Sequence, residues 1–128
     1  MEKQETKVLG RTGLLKKEEL QKQLVDLGKG ESVYVRQMTG RERDQFEQSM
    51  LKKVNNKGVT EYEASMKDFR AKLAVNTCCD AKGKNIFEPT DYDQLSQNMS
   101  AARLERIVNV AQELNKISEK DKEDIVKN

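Results

Sequence analysis

Two elements meet in the stretch Val33-Tyr34-Val35-Arg36-Gln37-Met38-Thr39-Gly40-Arg41-Glu42-Arg43-Asp44. Its first half alternates in residue type and holds β-branched and aromatic residues, which favour a strand. In its second half, Thr39 and Glu42 have the spacing of a capping box, in which the hydroxyl accepts the amide of residue 42 and the carboxylate reaches back. The stretch therefore predicts a β-strand that leads directly into a capped helix.

Upstream of this stretch, residues 23–27 are separated from residues 31–38 by the turn Gly28-Lys29-Gly30. Two short runs joined by a glycine-containing turn predict an antiparallel β-hairpin. One helical turn is predicted before it, over residues 16–21. A helix over residues 16–27 is the competing interpretation.

Two helices are predicted downstream. The first runs from the capping box to about Val54 and ends at a glycine-containing stop over residues 55–58. The second opens on a repeat of the capping signal at residues 60–63 and runs to about Thr77. Their apolar residues recur at helical spacing: Phe46, Met50 and Val54 in the first helix, and Tyr62, Met66, Phe69 and Leu73 in the second, with Tyr62 expected at the rim of the core.

The last third of the chain predicts a tight turn and two more helices. Asp80 and Gly83 have the positions of a side-chain-stabilised turn. A short helix starts at Pro89 and carries Tyr92, Leu95 and Met99, and Ser100 is placed to cap the final helix. That helix has the strongest apolar stripe of the chain, formed by Leu104, Ile107, Val108, Ala111, Leu114 and Ile117.

Together these patterns predict an α+β fold, namely a mostly helical single domain with a small antiparallel β-hairpin near the N-terminus. A length of 128 residues suits one domain. The domain is expected over residues 15–118. Residues 1–14 are expected to form a flexible N-terminal arm and residues 119–128 a charged C-terminal tail, because both lack apolar periodicity.

Composition narrows the classes of function. The chain has 24 basic and 22 acidic residues in an interleaved order, whereas nucleic-acid binders usually concentrate lysine and arginine. It has no apolar run near the roughly 20 residues of a membrane span, and its first residues lack the apolar stretch of a signal peptide. We therefore expect a cytoplasmic protein without nucleic-acid or membrane partners.

The residues that carry chemistry are few. The chain has no histidine, which removes the commonest general base and metal ligand. The adjacent Cys78 and Cys79 are expected to be reduced, buried or half-buried, and structural. Residues 80–91 have the length of a calcium-binding loop, but Lys82 and Lys84 occupy positions that need oxygen ligands, so the sequence excludes a calcium site there. The sequence therefore predicts a binding protein rather than an enzyme, with no catalytic, cofactor-binding or metal-binding residues, and it leaves the partner-binding surface unassigned.

The order of segments resembles the phage tail assembly chaperones, in particular those of prophage-like elements of Gram-positive bacteria. The first block of the resemblance is the opening stretch quoted above, residues 33–44. The second is Phe69-Arg70-Ala71-Lys72-Leu73 followed by Cys79-Asp80-Ala81-Lys82-Gly83-Lys84-Asn85-Ile86-Phe87, and the third is Leu95 with the helix over residues 101–117. The resemblance spans roughly residues 24–118.

This resemblance implies a role in virion assembly. Chaperones of this family bind the tape-measure protein, keep its apolar helical stretches soluble and help it acquire tail-tube subunits. In many members a frameshifted longer form recruits the tail-tube protein, and self-association is also expected. The stripe from Leu104 to Ile117 is either the domain core or a client surface. A small DNA-associated or regulatory protein is the alternative, supported by a pI near 8.5 and by the lysine pairs at 16–17 and 52–53.

Overall fold

The computed structural model describes residues 6–118 and 120–121 of the chain. It has an α+β architecture with small antiparallel sheets, as predicted. The strands are β1 (Lys22–Gly28), β2 (Glu31–Arg36), β3 (Leu51–Asn56), β4 (Val59–Ala64) and β5 (Cys78–Cys79). The helices are α1 (Arg11–Leu15), α2 (Gly40–Gln48), α3 (Phe69–Thr77), α4 (Tyr92–Asn98, after a 3₁₀ turn at Pro89–Asp91) and α5 (Ala101–Asn115).

The predicted N-terminal hairpin is confirmed in part. β1 pairs with β2 in antiparallel register, with Val25 opposite Val33, and the turn between them has positive φ at residues 28, 29 and 30. However, β2 also pairs with β5, which gives a three-stranded sheet of order β1-β2-β5. The competing helix over residues 16–27 and the helical turn over residues 16–21 are both wrong, since the N-terminal helical turn is α1.

The capping box at the start of α2 is confirmed. Thr39 Oγ1 accepts a hydrogen bond from the Glu42 amide at 3.2 Å, and the Glu42 carboxylate accepts one from the Thr39 amide at 2.9 Å. These two bonds satisfy amides that lack a partner within the helix. The predicted extent of the helix is wrong, because α2 ends at Gln48 rather than near Val54.

A second hairpin occupies the region where the two predicted helices were expected to meet. β3 and β4 pair in antiparallel register from Leu51 opposite Ala64 to Asn56 opposite Val59. Lys57 and Gly58 between them have φ values of 53° and 80°, and two positive-φ residues make the hairpin turn whose twist matches the strands. The interpretation of residues 55–58 as a helix stop and of residues 60–63 as a capping box is therefore wrong.

Only the later half of the second predicted helix is helical in the structure. α3 begins at Phe69, and residues 60–64 belong to β4. Tyr62 was predicted to lie at the rim of the core, but its side chain is 63% exposed on the second hairpin. The periodicity of Phe69 and Leu73 is confirmed, since both are buried in the core.

The core lies between α3, α5 and the three-stranded sheet. Phe46 and Phe69 meet edge to face with ring centroids 5.7 Å apart, a favourable aromatic arrangement. The stripe of α5 closes this core: Leu104, Ile107, Val108, Ala111 and Ile117 are buried, and Leu114 packs against them half-buried. The stripe is therefore mainly core, and only its half-buried member Leu114 also reaches a surface depression.

Two local predictions in the last third of the chain are confirmed. Asp80 Oδ1 accepts hydrogen bonds from the amides of Lys82 at 2.8 Å and Lys84 at 3.0 Å, and Gly83 has a φ of 84°. Ser100 caps α5 by accepting the Arg103 amide at 3.2 Å. Both patterns depend on hydrogen bonds between residues no more than four apart.

The predicted arm and tail lie partly outside the described residues, namely at residues 1–5, 119 and 122–128. Residues 6–14 are exposed, and α1 has no buried residue. The flexibility of the arm and tail stays a prediction. Among the helices that the structure describes, none is long and apolar enough to cross a membrane.

Candidate functional site

A groove of about 790 Å³ lies on the face where residues 14–22 pass the end of β2 and the start of α2. Leu20 and Met38 contribute apolar surface to it. A smaller depression of about 350 Å³ adjoins it and shares Leu20, Met38 and Thr39. The second depression continues to Leu114 at the C-terminal end of α5. We call the two together the N-terminal groove.

One wall of the N-terminal groove exposes large apolar side chains. Leu14 lines the groove and is 70% exposed, and its neighbour Leu15 is 68% exposed. Val8 and Leu9, just before α1, are exposed as well. Leu14 is the one of these four side chains that lines the groove, and exposed apolar surface at a groove is typical of a surface that another molecule covers.

One of the residues that line the groove, Arg36, belongs to a largely buried ion pair. Arg36 is only 6% exposed, and its guanidinium contacts the Glu42 carboxylate through two hydrogen bonds of 2.9 and 2.7 Å. The same guanidinium donates to the Gln37 carbonyl and to Asn85 Oδ1, both at 2.7 Å. Arg36 thus joins β2, the start of α2 and the turn after β5.

The charge of Glu42 is stabilised by these contacts. The hydrogen bond from Arg36, together with the Thr39 amide, lowers the pKa of Glu42 to about 2 against the opposing effect of burial. Burial raises the pKa of a carboxyl group unless donors compensate. Because both charges are engaged with each other, the pair holds the groove in shape and is not available to a ligand.

The rim of the groove has mixed charge. Lys16, Lys17, Lys22 and Lys82 line it, and so do Glu18 and Glu19. Within the described part of the chain, none of these four lysines takes part in an ion pair. The acidic pair lies directly beside two of the lysines in sequence, so the rim is not a continuous basic stripe.

The two cysteines are buried side by side in β5 and are free thiols. Burial raises the pKa of the Cys78 thiol to about 12 and also raises that of Cys79. A nucleophilic cysteine needs the thiolate, which forms where nearby cations or a helix N-terminus lower the pKa. The thiols therefore have the environment of structural cysteines.

Residues 6–118 and 120–121 contain no group of three or more acidic or cysteine side chains placed to hold a metal ion. The segment in which a calcium loop was rejected from the sequence begins with the predicted tight turn at Asp80. The carboxylate of Asp80 accepts backbone amides there, and these bonds lower its pKa.

Sequence reasoning left the partner-binding surface unassigned and did not nominate the groove. Its lining comes from segments far apart in the chain, such as residues 14–22, residues 36–40 and the turn at 82–83. The only local signal is a set of leucines, Leu9, Leu14 and Leu15, in an otherwise polar N-terminal segment. That signal alone does not show what the leucines lie beside.

No family model, no curated protein and no solved structure matches this chain. The resemblance to tail assembly chaperones therefore rests on the three sequence blocks quoted above.

Proposed function

We propose that the chain is a tail assembly chaperone of a phage or prophage, acting in the bacterial cytoplasm, and that its N-terminal groove binds apolar helical stretches of the tape-measure protein. The observation that supports this assignment is the exposed side chain of Leu14 in a groove that Leu20 and Met38 also line, with the exposed Leu15 next to it in the sequence. An amphipathic helix docks in such a groove through residues spaced three and four apart.

A single domain of 128 residues covers only a short stretch of a long client, so one client is expected to bind many chaperones. A stable interface covers about 800 Å² of each partner, which is a short stretch of a long helical protein. Each contact is expected to be weak, because the chaperone leaves when tail-tube subunits arrive. A longer frameshifted form would recruit the tail-tube protein in this scheme.

The charges of the protein fit a contact that is mainly apolar. The net charge is +2, so copies packed along one client repel one another little. The mixed rim of the groove offers both signs to polar residues that flank the apolar face of a client helix. Binding is therefore expected to change only modestly with salt concentration.

Co-expression with the tape-measure protein tests the proposal. Wild-type chaperone should keep the tape-measure protein soluble, and Leu14→Asp with Leu15→Asp should abolish this effect, because two carboxylates on the apolar wall would be desolvated in the complex. Ile86→Asp is the matched control, since Ile86 is 50% exposed and lies outside the groove. Equal insolubility of the client with and without the wild-type protein would refute the proposal.

The alternative is a small DNA-associated protein, favoured by the four lysines on the rim of the groove. Phosphate contacts give binding that falls steeply with salt, with a slope of about −0.9 per contact on logarithmic axes. Titration of duplex DNA at two salt concentrations distinguishes the alternatives. Tight, steeply salt-dependent DNA binding that is lost in Lys17→Glu with Lys82→Glu would favour the alternative.

A further inference from the structure

The hairpin of β3 and β4 stands outside the core. None of residues 51–63 belongs to the buried cluster. Of residues 51–63, all are exposed except Val54, which is half-buried. Its sheet consists of two strands, so each strand has one edge without a neighbouring strand in the described chain. Unpaired backbone groups along such an edge are able to pair with another strand.

The charges of the hairpin are divided between its two strands. β3 has Lys52 and Lys53 and no acidic residue, whereas β4 has Glu61 and Glu63 and no basic residue. In the hairpin register, Lys52 lies opposite Glu63. Each hairpin therefore presents one basic edge and one acidic edge.

We infer that this hairpin is a self-association surface, at which β3 of one copy pairs with β4 of a second copy of the chain. Lys52 lies on the same face of the hairpin as Glu61 and Glu63, because it is opposite Glu63 and side chains alternate between faces. When successive hairpins face the same way, this arrangement places Lys52 of one molecule beside a glutamate of the next, and cross-strand pairs of opposite charge stabilise a sheet. Pairing of two β3 edges would instead bring four lysines together. Pairing of two β4 edges would bring four glutamates together.

Pairing of unlike edges leaves a free edge at each end of the assembly. It is a head-to-tail contact, which grows openly unless the rotation between copies closes a ring. The twist of about 20–25° per strand turns successive two-stranded hairpins by about 40–50°.

The inference is independent of the proposed client. The described residues that line the N-terminal groove include none of residues 51–63, so self-association and client binding use separate surfaces. The experiment below uses the full chain without any client, and its failure would leave the client proposal intact.

Sedimentation velocity over a concentration series tests the inference with variants in which the charges of β3 or of β4 are reversed. The wild-type chain should form species that grow with concentration. Lys52→Glu with Lys53→Glu makes both edges acidic, and Glu61→Lys with Glu63→Lys makes both edges basic. Each of these variants alone should associate at least tenfold more weakly, whereas an equimolar mixture of the two should associate as the wild type does.

Two further variants serve as controls. The first tests whether the reversed variants lose association because their hairpin is unfolded, and the second tests whether any charge reversal on the surface has the same effect. The variant with all four substitutions keeps opposite charges across the hairpin and should associate like the wild type. Lys29→Glu with Lys120→Glu, a matched charge reversal elsewhere on the surface, should leave association unchanged.

Several results would overturn the inference. The wild-type chain could stay monomeric at every concentration, or each reversed variant could associate as strongly as the wild type. Failure of the equimolar mixture or of the fourfold variant to associate would also overturn it. If the wild type is monomeric and a tape-measure fragment instead protects the hairpin amides from exchange, the occupant of the hairpin is the client and the inference is wrong.

Discussion

Arg36 and Glu42 bind each other through two parallel hydrogen bonds, from Nη1 to Oε1 at 2.9 Å and from Nη2 to Oε2 at 2.7 Å. The same carboxylate completes the capping box of α2 by accepting the Thr39 amide. One side chain thus starts a helix and attaches it to the central strand of the three-stranded sheet. Two-point pairs of this kind are among the stronger polar contacts in proteins.

Glu42→Gln should destabilise the fold by about 2–3 kcal/mol, since it removes a charged partner of a buried guanidinium. Chemical denaturation measures this change. The control is Glu47→Gln, which breaks the exposed pair with Arg43 and should change stability by less than about 1 kcal/mol. Equal effects of the two substitutions would contradict the structural role of Glu42.

The same contact predicts a dependence of stability on pH. The pKa of Glu42 falls from 4.5 to about 2 on folding, so its contribution is complete above pH 4.5 and is lost as the pH falls towards 2. Asp80 also has a lowered pKa, so the wild type alone does not isolate Glu42. The stability difference between wild type and Glu42→Gln should shrink over this interval, and a constant difference would argue against the lowered pKa.

The turn Lys57-Gly58 should control the second hairpin. Asparagine before glycine favours the turn with two positive-φ residues, so Lys57→Asn should slow hydrogen exchange of the β3 and β4 amides, measured on dilute protein. Gly58→Ala should speed that exchange, because alanine resists the φ of 80° at this position. Protection with helical periodicity over residues 51–64 would show that the hairpin is wrong.

Removal of residues 1–14, or separately of residues 119–128, should change the free energy of unfolding by less than about 0.5 kcal/mol, as for surface changes. The described residues of the first segment are exposed. Removal of residues 1–14 should nevertheless weaken client binding, because it deletes Leu14. A cooperative loss of folding on trimming either end would contradict this separation of folding from binding.

The sequence predicted those elements whose signals are local. The capping box at Thr39, the turn at Asp80 and the cap at Ser100 all depend on hydrogen bonds within four residues, so their spacing is visible in the chain. The second hairpin was missed because Phe46, Met50 and Val54 fit helical spacing equally well, and because a glycine after polar residues ends helices as well as it turns hairpins.

The groove could not be predicted in the same way. Its apolar surface joins Leu14, Leu20, Met38 and Leu114, which come together only when β1, β2 and α5 pack. The apolar stripe of α5 was the most visible pattern in the sequence, and all of it except Leu114 is buried in the core. The exposed leucines of the N-terminal segment form the weaker pattern, and they supply the candidate surface.

The most direct test of the central claim is the dissociation constant of a soluble helical fragment of the tape-measure protein, measured by titration calorimetry at low and high salt. The wild type should bind with little dependence on salt, and Leu14→Asp with Leu15→Asp should weaken binding at least tenfold, which is about 1.4 kcal/mol, while Ile86→Asp leaves it unchanged. No binding by the wild type at either salt concentration, or equal binding by the leucine variant, would contradict the account.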